Sequence, residues 1–157
     1  MILQNKEYLH NMVCMIFVWI SSSFGFYLIN YQLKYIKGDM YLNSLVSSTS
    51  GVVAYCISGV LFEKVGLKFT FIIAYAIALL GMLSLMYYQG DEKLMICIFV
   101  LGSKFGVSLV GNVAYLANYR LFPGKILTTT FGICNVFAKV FTIIAPYVAE
   151  LKPDSIS

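Results

Sequence analysis

Charge is scarce in this sequence: 11% of its 157 residues are charged, where soluble domains carry about 25%. What charge exists is scattered. The eleven Lys and Arg residues fall one or two to a segment, which excludes the clustered basic face that nucleic-acid binding requires. There is one histidine, His10, and no two of the four cysteines form a CxxC pair. Cys14, Cys56, Cys97 and Cys134 each sit in a different apolar run, so a metal site or disulfide framework is excluded and the thiols read as small hydrophobes. With three prolines and no Pro- or Ser-rich stretch, the chain has no linker. No carboxylate pair, nucleophile–base set or phosphate loop is present, which argues against an enzyme and against any cofactor.

What fills the sequence instead is apolar. Hydrophobic residues make up 60% and the mean hydropathy is +0.82, too much apolar surface for a soluble fold of this size to bury. A helix needs about 20 apolar residues to cross a bilayer core. Five runs qualify: 11–33, 42–62, 69–88, 94–118 and 128–149. The first continues through "FYLINYQL", longer than the apolar part of a signal peptide, and so reads as a span. The breaks between runs are short ("KYIKGDMY", "EKVGLK", "QGDEK", "YRLFPGKIL"). They permit only antiparallel helical hairpins, because lipid tolerates no open sheet edge. The expectation is an all-α membrane protein of five transmembrane helices forming a single domain.

The spans differ in polarity. The third, "FTFIIAYAIALLGMLSLMYY", has no charge and no amide and reads as a lipid-facing helix. On the fourth, Lys104, Ser108, Asn112, Tyr115 and Tyr119 recur at helical spacing on one face. Asn135, Lys139, Thr142 and Pro146 do the same on the fifth, and Ser23, Tyr27, Asn30 and Tyr31 form a weaker stripe on the first. Hydroxyls alone serve as interhelical glue; lysines ask for more. Lys139 lies about eleven residues from either end of its run, roughly 16 Å from each interface and beyond snorkelling reach. Lysine at such depth costs about 2.5–3.5 kcal/mol on insertion scales, and Lys104 is nearly as deep. The acids, Glu7, Asp39, Glu63, Asp91, Glu92, Glu150 and Asp154, all fall in loops, termini or span ends. The partner of the lysines is therefore an anion from solution, a carboxylate of another chain, backbone carbonyls or water; the alternative is a lysine deprotonated by burial.

Two motifs carry a family resemblance. "GVLFEKVGLK" (59–68) resembles the G-x-L-x-D-R-x-G-R-R/K loop of major facilitator superfamily transporters, with Gly59, Leu61, Glu63, Lys64, Gly66 and Lys68 on pattern positions. The stretch 101–151 is similar to the tenth and eleventh helices of the organic cation and anion transporters, solute carrier family 22: Lys104, Phe105, Gly106, Ala117, Leu121, Phe122, Pro123, Gly132, Ala138, Lys139, Ala145 and Pro146 match. The resemblance implies that the spans are helices seven to eleven, a partial C-terminal bundle of an inverted 3+3 repeat. The last helix and the six-helix N-terminal half would then lie outside this chain. It further implies a cytoplasmic N-terminus and a C-terminal end on the opposite side. Counting positive residues leaves orientation open, with Lys6, Lys64, Lys68, Arg120 and Lys125 on one side and Lys34, Lys37, Lys93 and Lys152 on the other.

The function implied is secondary transport of small organic ions by alternating access. The expected substrate-binding residues are Lys139, Lys104, Asn135, Asn112, Tyr115 and Tyr27. The expected gating residues are Glu63, Lys64, Gly66, Lys68, Arg120 and Pro123. A basic residue at the Lys139 position is typical of anion-transporting relatives, so the substrate is expected to be anionic. Arg120 departs from the family, which has Glu there; Gly124 and Leu127 likewise replace its Thr and Arg, which alters the acid–base latch. Expected partners are the anionic solute, membrane lipids, and the missing half or another membrane chain; nucleic acid is not among them. The competing expectation is a non-transporting membrane subunit, a half-carrier in a larger complex.

Overall fold

The computed structural model describes residues 6–32, 40–88 and 92–150. Lys34, Lys37, Asp39, Asp91, Lys152 and Asp154, used above in counting charge, lie outside the described residues. Six helices follow one another: α1 (Lys6–Gln32), α2 (Met40–Val65), α3 (Leu67–Tyr87), α4 (Lys93–Leu121), α5 (Gly124–Thr142) and α6 (Ala145–Glu150). Five segments are long and apolar enough to cross a membrane, the last running from Gly124 to Val148 through α5 and into α6. Most helices outrun the apolar stretches at their ends. Residues such as Lys6, Glu7, Glu63 and Lys64 continue the helix, which keeps backbone groups paired up to the interface.

The packing is organised around α4. Half of its membrane window is buried, against about a fifth of each other span. Helices α2 and α3 both lie on α4; α5 lies on α1; and α1 and α4 lie on each other. Thus α1 pairs with α5 as α4 pairs with α2.

Small residues set the α3–α4 distance. Ala74 and Ala78 are buried against α4. A Cβ placed on Gly106 would stand 2.7 Å from Ala78 Cα and 2.8 Å from the Ala74 carbonyl, and one on Gly81 would stand 2.6 Å from Ser103 Oγ. The "GSKFG" spacing suggests a paired contact at Gly102 and Gly106. Only Gly106 makes it, since nothing lies within 4 Å of the Gly102 position. The α2–α3 turn is a single residue, Gly66, at φ +87°, a conformation that suits glycine. Thr70 locks it by donating its hydroxyl to the Gly66 carbonyl (2.7 Å) and the Leu61 carbonyl (3.3 Å).

The fifth span is broken. Proline at 146 has no N–H to give the Thr142 carbonyl, so α5 ends at Thr142 and α6 starts afresh at Ala145. Pro146 therefore goes with a helix end inside the span.

Trp19, the one tryptophan, is 5% exposed. Its ring meets Tyr115 edge-on at 4.6 Å and Phe131 at 5.8 Å, tying α1, α4 and α5 together. Acrylamide quenching of Trp19 fluorescence should therefore be weak. It should rise in Phe131→Ala and stay unchanged in Tyr87→Ala, whose ring is exposed. Equal quenching in all three proteins would contradict this packing.

Candidate functional site

Six residues form the expected substrate-binding set: Lys104, Lys139, Asn135, Asn112, Tyr115 and Tyr27. The structure distributes them over three places. The first is a gap between α1 and α2 floored by α4. Both outer helices rest on α4 rather than on each other, leaving a cavity of about 270 Å³. Lys104, 3% exposed, points into it. Its Nζ donates to Asn30 Oδ1 and stands 3.5 Å from the centroid of the Phe26 ring. A hydrogen bond from a charged donor contributes about 1.5–3 kcal/mol, and a desolvated cation–π contact about 2 kcal/mol. Together, at about 3.5–5 kcal/mol, they outweigh the insertion cost of about 2.5–3.5 kcal/mol, so α1 holds the ammonium in place. Lysine has three donors, and Asn30 takes one. One turn along α4, Ser108 lines the same cavity; it is 3% exposed, and its hydroxyl has no hydrogen-bond partner among the described residues.

The second place is the outer face of α5. Lys139 and Asn135 are both exposed there. Lys139 Nζ donates to Tyr27 Oη at 3.0 Å and lies 4.9 Å from that ring's centroid. The Tyr27 and Phe26 rings adjoin, with centroids 5.7 Å apart. The two lysines thus flank neighbouring aromatic residues of α1 from different sides, without entering one cavity. Lys139 is also not at the middle of a continuous helix. It occupies the last turn of α5, where the unpaired carbonyls of a helix end favour a cation by about 0.3–1 kcal/mol.

The third place is polar or aromatic packing. Asn112 donates its amide to Ser58 Oγ across α4 and α2. Tyr115 and Tyr119 join Phe131 (5.8 and 5.3 Å) on the α1–α4–α5 side. Asn112 thus reaches α2, while Tyr115, 49% exposed, joins an aromatic group with α1 and α5. The stripe on α4 is real, but the helix is surrounded, and successive turns meet different neighbours. A double-mutant cycle on Asn112→Ala and Ser58→Ala should give a coupling of about 0.6–2 kcal/mol in thermal unfolding. Strict additivity would remove this contact.

At the opposite ends of α2 and α4, the expected gating residues Glu63, Lys64, Lys68, Arg120 and Pro123 are exposed, and Gly66 makes the turn. The contact joining the two loops is the Arg120 guanidinium over the Phe62 ring at 5.7 Å. Where the family pattern has an acid, this chain sets a cation on an aromatic face. Sequence reasoning passed over Phe26 and Phe62, because phenylalanine in an apolar run carries no signal of its own. It did place Asn30 and Ser108 on polar stripes, without their roles.

Several curated proteins are similar to the chain. Solute carrier family 22 member 13 of Homo sapiens is 23% identical over 134 residues, 85% of this chain and 24% of its own length. Solute carrier family 22 member 4 of Mus musculus is 26% identical over 141 residues, 88% of this chain and 25% of its own length. Organic cation/carnitine transporter 2 of Homo sapiens is 21% identical over 136 residues, 87% of this chain and 24% of its own length. The chain thus spans about a quarter of the length of these relatives. No family model matches it, and no solved structure does. Over most of its length this is a multi-pass membrane chain similar to transporters of solute carrier family 22.

Proposed function

We propose that this chain forms helices seven to eleven of a secondary transporter that moves small organic anions by alternating access. Its N-terminus would be cytoplasmic and the end of its fifth span on the opposite side. The observation that carries the reading is the pair Lys104 and Lys139, held on α1 by Asn30 and Tyr27 rather than by an acid. Two cations with uncharged partners, one buried in the α1–α2 gap and one on the open face of α5, leave a net positive potential on either side of α1. That potential draws in anions and repels cations. The inverted pairing of α1–α5 and α4–α2 supports the alternating-access part, because such repeats rock against a second domain around a site at mid-membrane depth. Glu63, Lys64, Lys68, Arg120 and Pro123 border the turns that would open and close, with Arg120 on Phe62 as their present contact.

A second reading has one specific observation behind it: a relative is named as an organic cation/carnitine transporter. Uptake decides between the two. Cells expressing the gene product that carries this chain should accumulate radiolabelled p-aminohippurate above background and exclude tetraethylammonium. Accumulation of tetraethylammonium alone overturns the anion reading. Accumulation of neither points to the non-transporting subunit.

A further inference from the structure

We infer that the end of the bundle where α1, α3 and α5 begin and α2 and α4 finish is a docking face for the headgroups of anionic phospholipids. Lys6, Lys64, Lys68, Arg120 and Lys125 are all exposed there, one on each of the five spanning helices. At this end the spans terminate at Lys6, Val65, Leu67, Leu121 and Gly124. Each cation is therefore the terminal residue of its span or the neighbour of that residue. Five positive charges stand in one layer, at the depth where the apolar spans stop. Packing as well as topology brings them to one end. Tyr8 of α1, Leu67 of α3, Phe122 after α4 and Ile126 of α5 belong to a single apolar cluster, and Arg120 of α4 lies over Phe62 of α2.

Charge is uneven between the two ends. Two acids, Glu7 and Glu63, accompany the five cations, which leaves a net of three positive charges. The sequence segments at the other ends of the spans hold Lys34, Lys37, Lys93 and Lys152 against Asp39, Asp91, Glu92, Glu150 and Asp154, a net of one negative charge. Positive residues alone, five against four, conceal this difference, because an anionic surface is repelled by the acids as well.

Loop length selects the partner. Gly66 alone joins α2 to α3, and Phe122 and Pro123 join α4 to α5. The cations are thus not carried out into water on loops. A soluble acidic protein would have to reach down to the span ends, whereas phospholipid headgroups already stand at that level. Apolar surface continues directly below. Val60 lies one helical turn into the span from Lys64, and Ile72 one turn from Lys68. They are 52% and 55% exposed, and Phe69 beside them is 62% exposed. Helices α2 and α3 rest on α4 more than on each other, which leaves their outer sides to acyl chains. The partner that fits is a lipid whose phosphate accepts from Lys64 and Lys68 on either side of the Gly66 turn, with its chains on Val60, Phe69 and Ile72. With the N-terminus cytoplasmic, as proposed above, this face meets the leaflet in which anionic lipids concentrate. The binding itself does not depend on the solute carried.

The test takes the full gene product that carries this chain, purified in dodecyl maltoside. NBD-labelled phosphatidylserine is titrated in and read by NBD anisotropy, with NBD-labelled phosphatidylcholine as the neutral probe. Phosphatidylserine should bind about tenfold more tightly or better, since each cation near an anionic headgroup contributes about fivefold. The preference should shrink at about 0.5 M NaCl, where charges are screened within a few ångströms. Lys64→Gln with Lys68→Gln should remove most of it, and Lys64→Arg with Lys68→Arg should keep it. Lys93→Gln, at the other end of α4, should leave it unchanged. If the double glutamine protein does not stay monodisperse, Lys125→Gln on a different helix should still reduce the preference by about fivefold. Equal affinity for the two lipids in the unmodified protein overturns the face. A preference that survives in both the double variant and Lys125→Gln overturns its placement at this end. Displacement of phosphatidylserine by excess glycerophosphate overturns the lipid in favour of a soluble phosphate. Failure of anion uptake in the assay above leaves these outcomes unaffected, so the two readings fail separately.

Discussion

Gly106→Val should leave little folded protein. The α3–α4 interface is the most extensive in the bundle, and at its centre the backbones meet with no side chain between them. A Cβ at 106 would stand 2.7 Å from Ala78 Cα and 2.8 Å from the Ala74 carbonyl, distances that real Cβ atoms do not reach. Both obstructing groups are backbone, so no rotamer change relieves them. Overpacking of even a tolerant core costs about 1–3 kcal/mol. Here valine would force two helices apart along the contact that holds α3 on α4. In lipid that contact has no hydrophobic driving force to spare, because close packing of small residues is itself the attraction. The expected result is loss of the monodisperse peak on size-exclusion chromatography in detergent, with aggregation in its place. Gly102→Val, on the same helix with nothing within 4 Å of its Cβ position, should behave like the unmodified chain. A Gly106→Val protein that melts at the unmodified temperature would show that α3 does not pack where the structure has it.

Lys139→Glu should reverse charge preference in uptake. Lys139 is exposed in the last turn of α5, with the Tyr27 hydroxyl and ring as its partner among the described residues. An exposed lysine of this kind can be exchanged without leaving a buried hole. Glutamate at this position would lose the hydrogen bond to an anion and add repulsion. It would also face the carbonyls of the helix end, which disfavour it. Losing a charge-assisted bond corresponds to about 1.5–3 kcal/mol, or roughly 10- to 100-fold in anion uptake at 1.4 kcal/mol per decade. Tetraethylammonium uptake should rise in the same protein. Lys139→Gln should lose anion uptake without gaining cation uptake, which separates removal of attraction from reversal of charge. Anion uptake unchanged in both variants would remove Lys139 from the pathway.

The legibility of the fold varied with what each residue needed from its neighbours. Span number and approximate limits followed from apolar run length, because the bilayer imposes a length that the chain must meet by itself. The turn at Gly66 was legible for the same local reason: a reversal of one residue requires φ > 0. The polar stripes on α1, α4 and α5 were visible as helical spacing. Their destinations were not. Lys104, Asn112 and Tyr115 share a stripe, yet they face a cavity, a serine on α2 and an aromatic group with α1 and α5. A central helix touches several partners along its length, and spacing within one helix cannot say which partner stands opposite each turn.

By itself the sequence determined that the chain is helical and membrane-spanning, that two cations lie deep in its apolar runs, and that no acid of its own lies there to neutralise them. These follow from composition and from the cost of exposed backbone in lipid. The tertiary structure alone decided how the cations are held. It put the Asn30 amide and Phe26 ring against Lys104, Tyr27 against Lys139, and the broken end of α5 beneath Lys139. It also separated the two lysines into a buried cavity and an open face. The reason is physical: a cation taken out of water needs hydrogen-bond acceptors and aromatic faces in direct contact, and those groups come from α1, which packs on both α4 and α5.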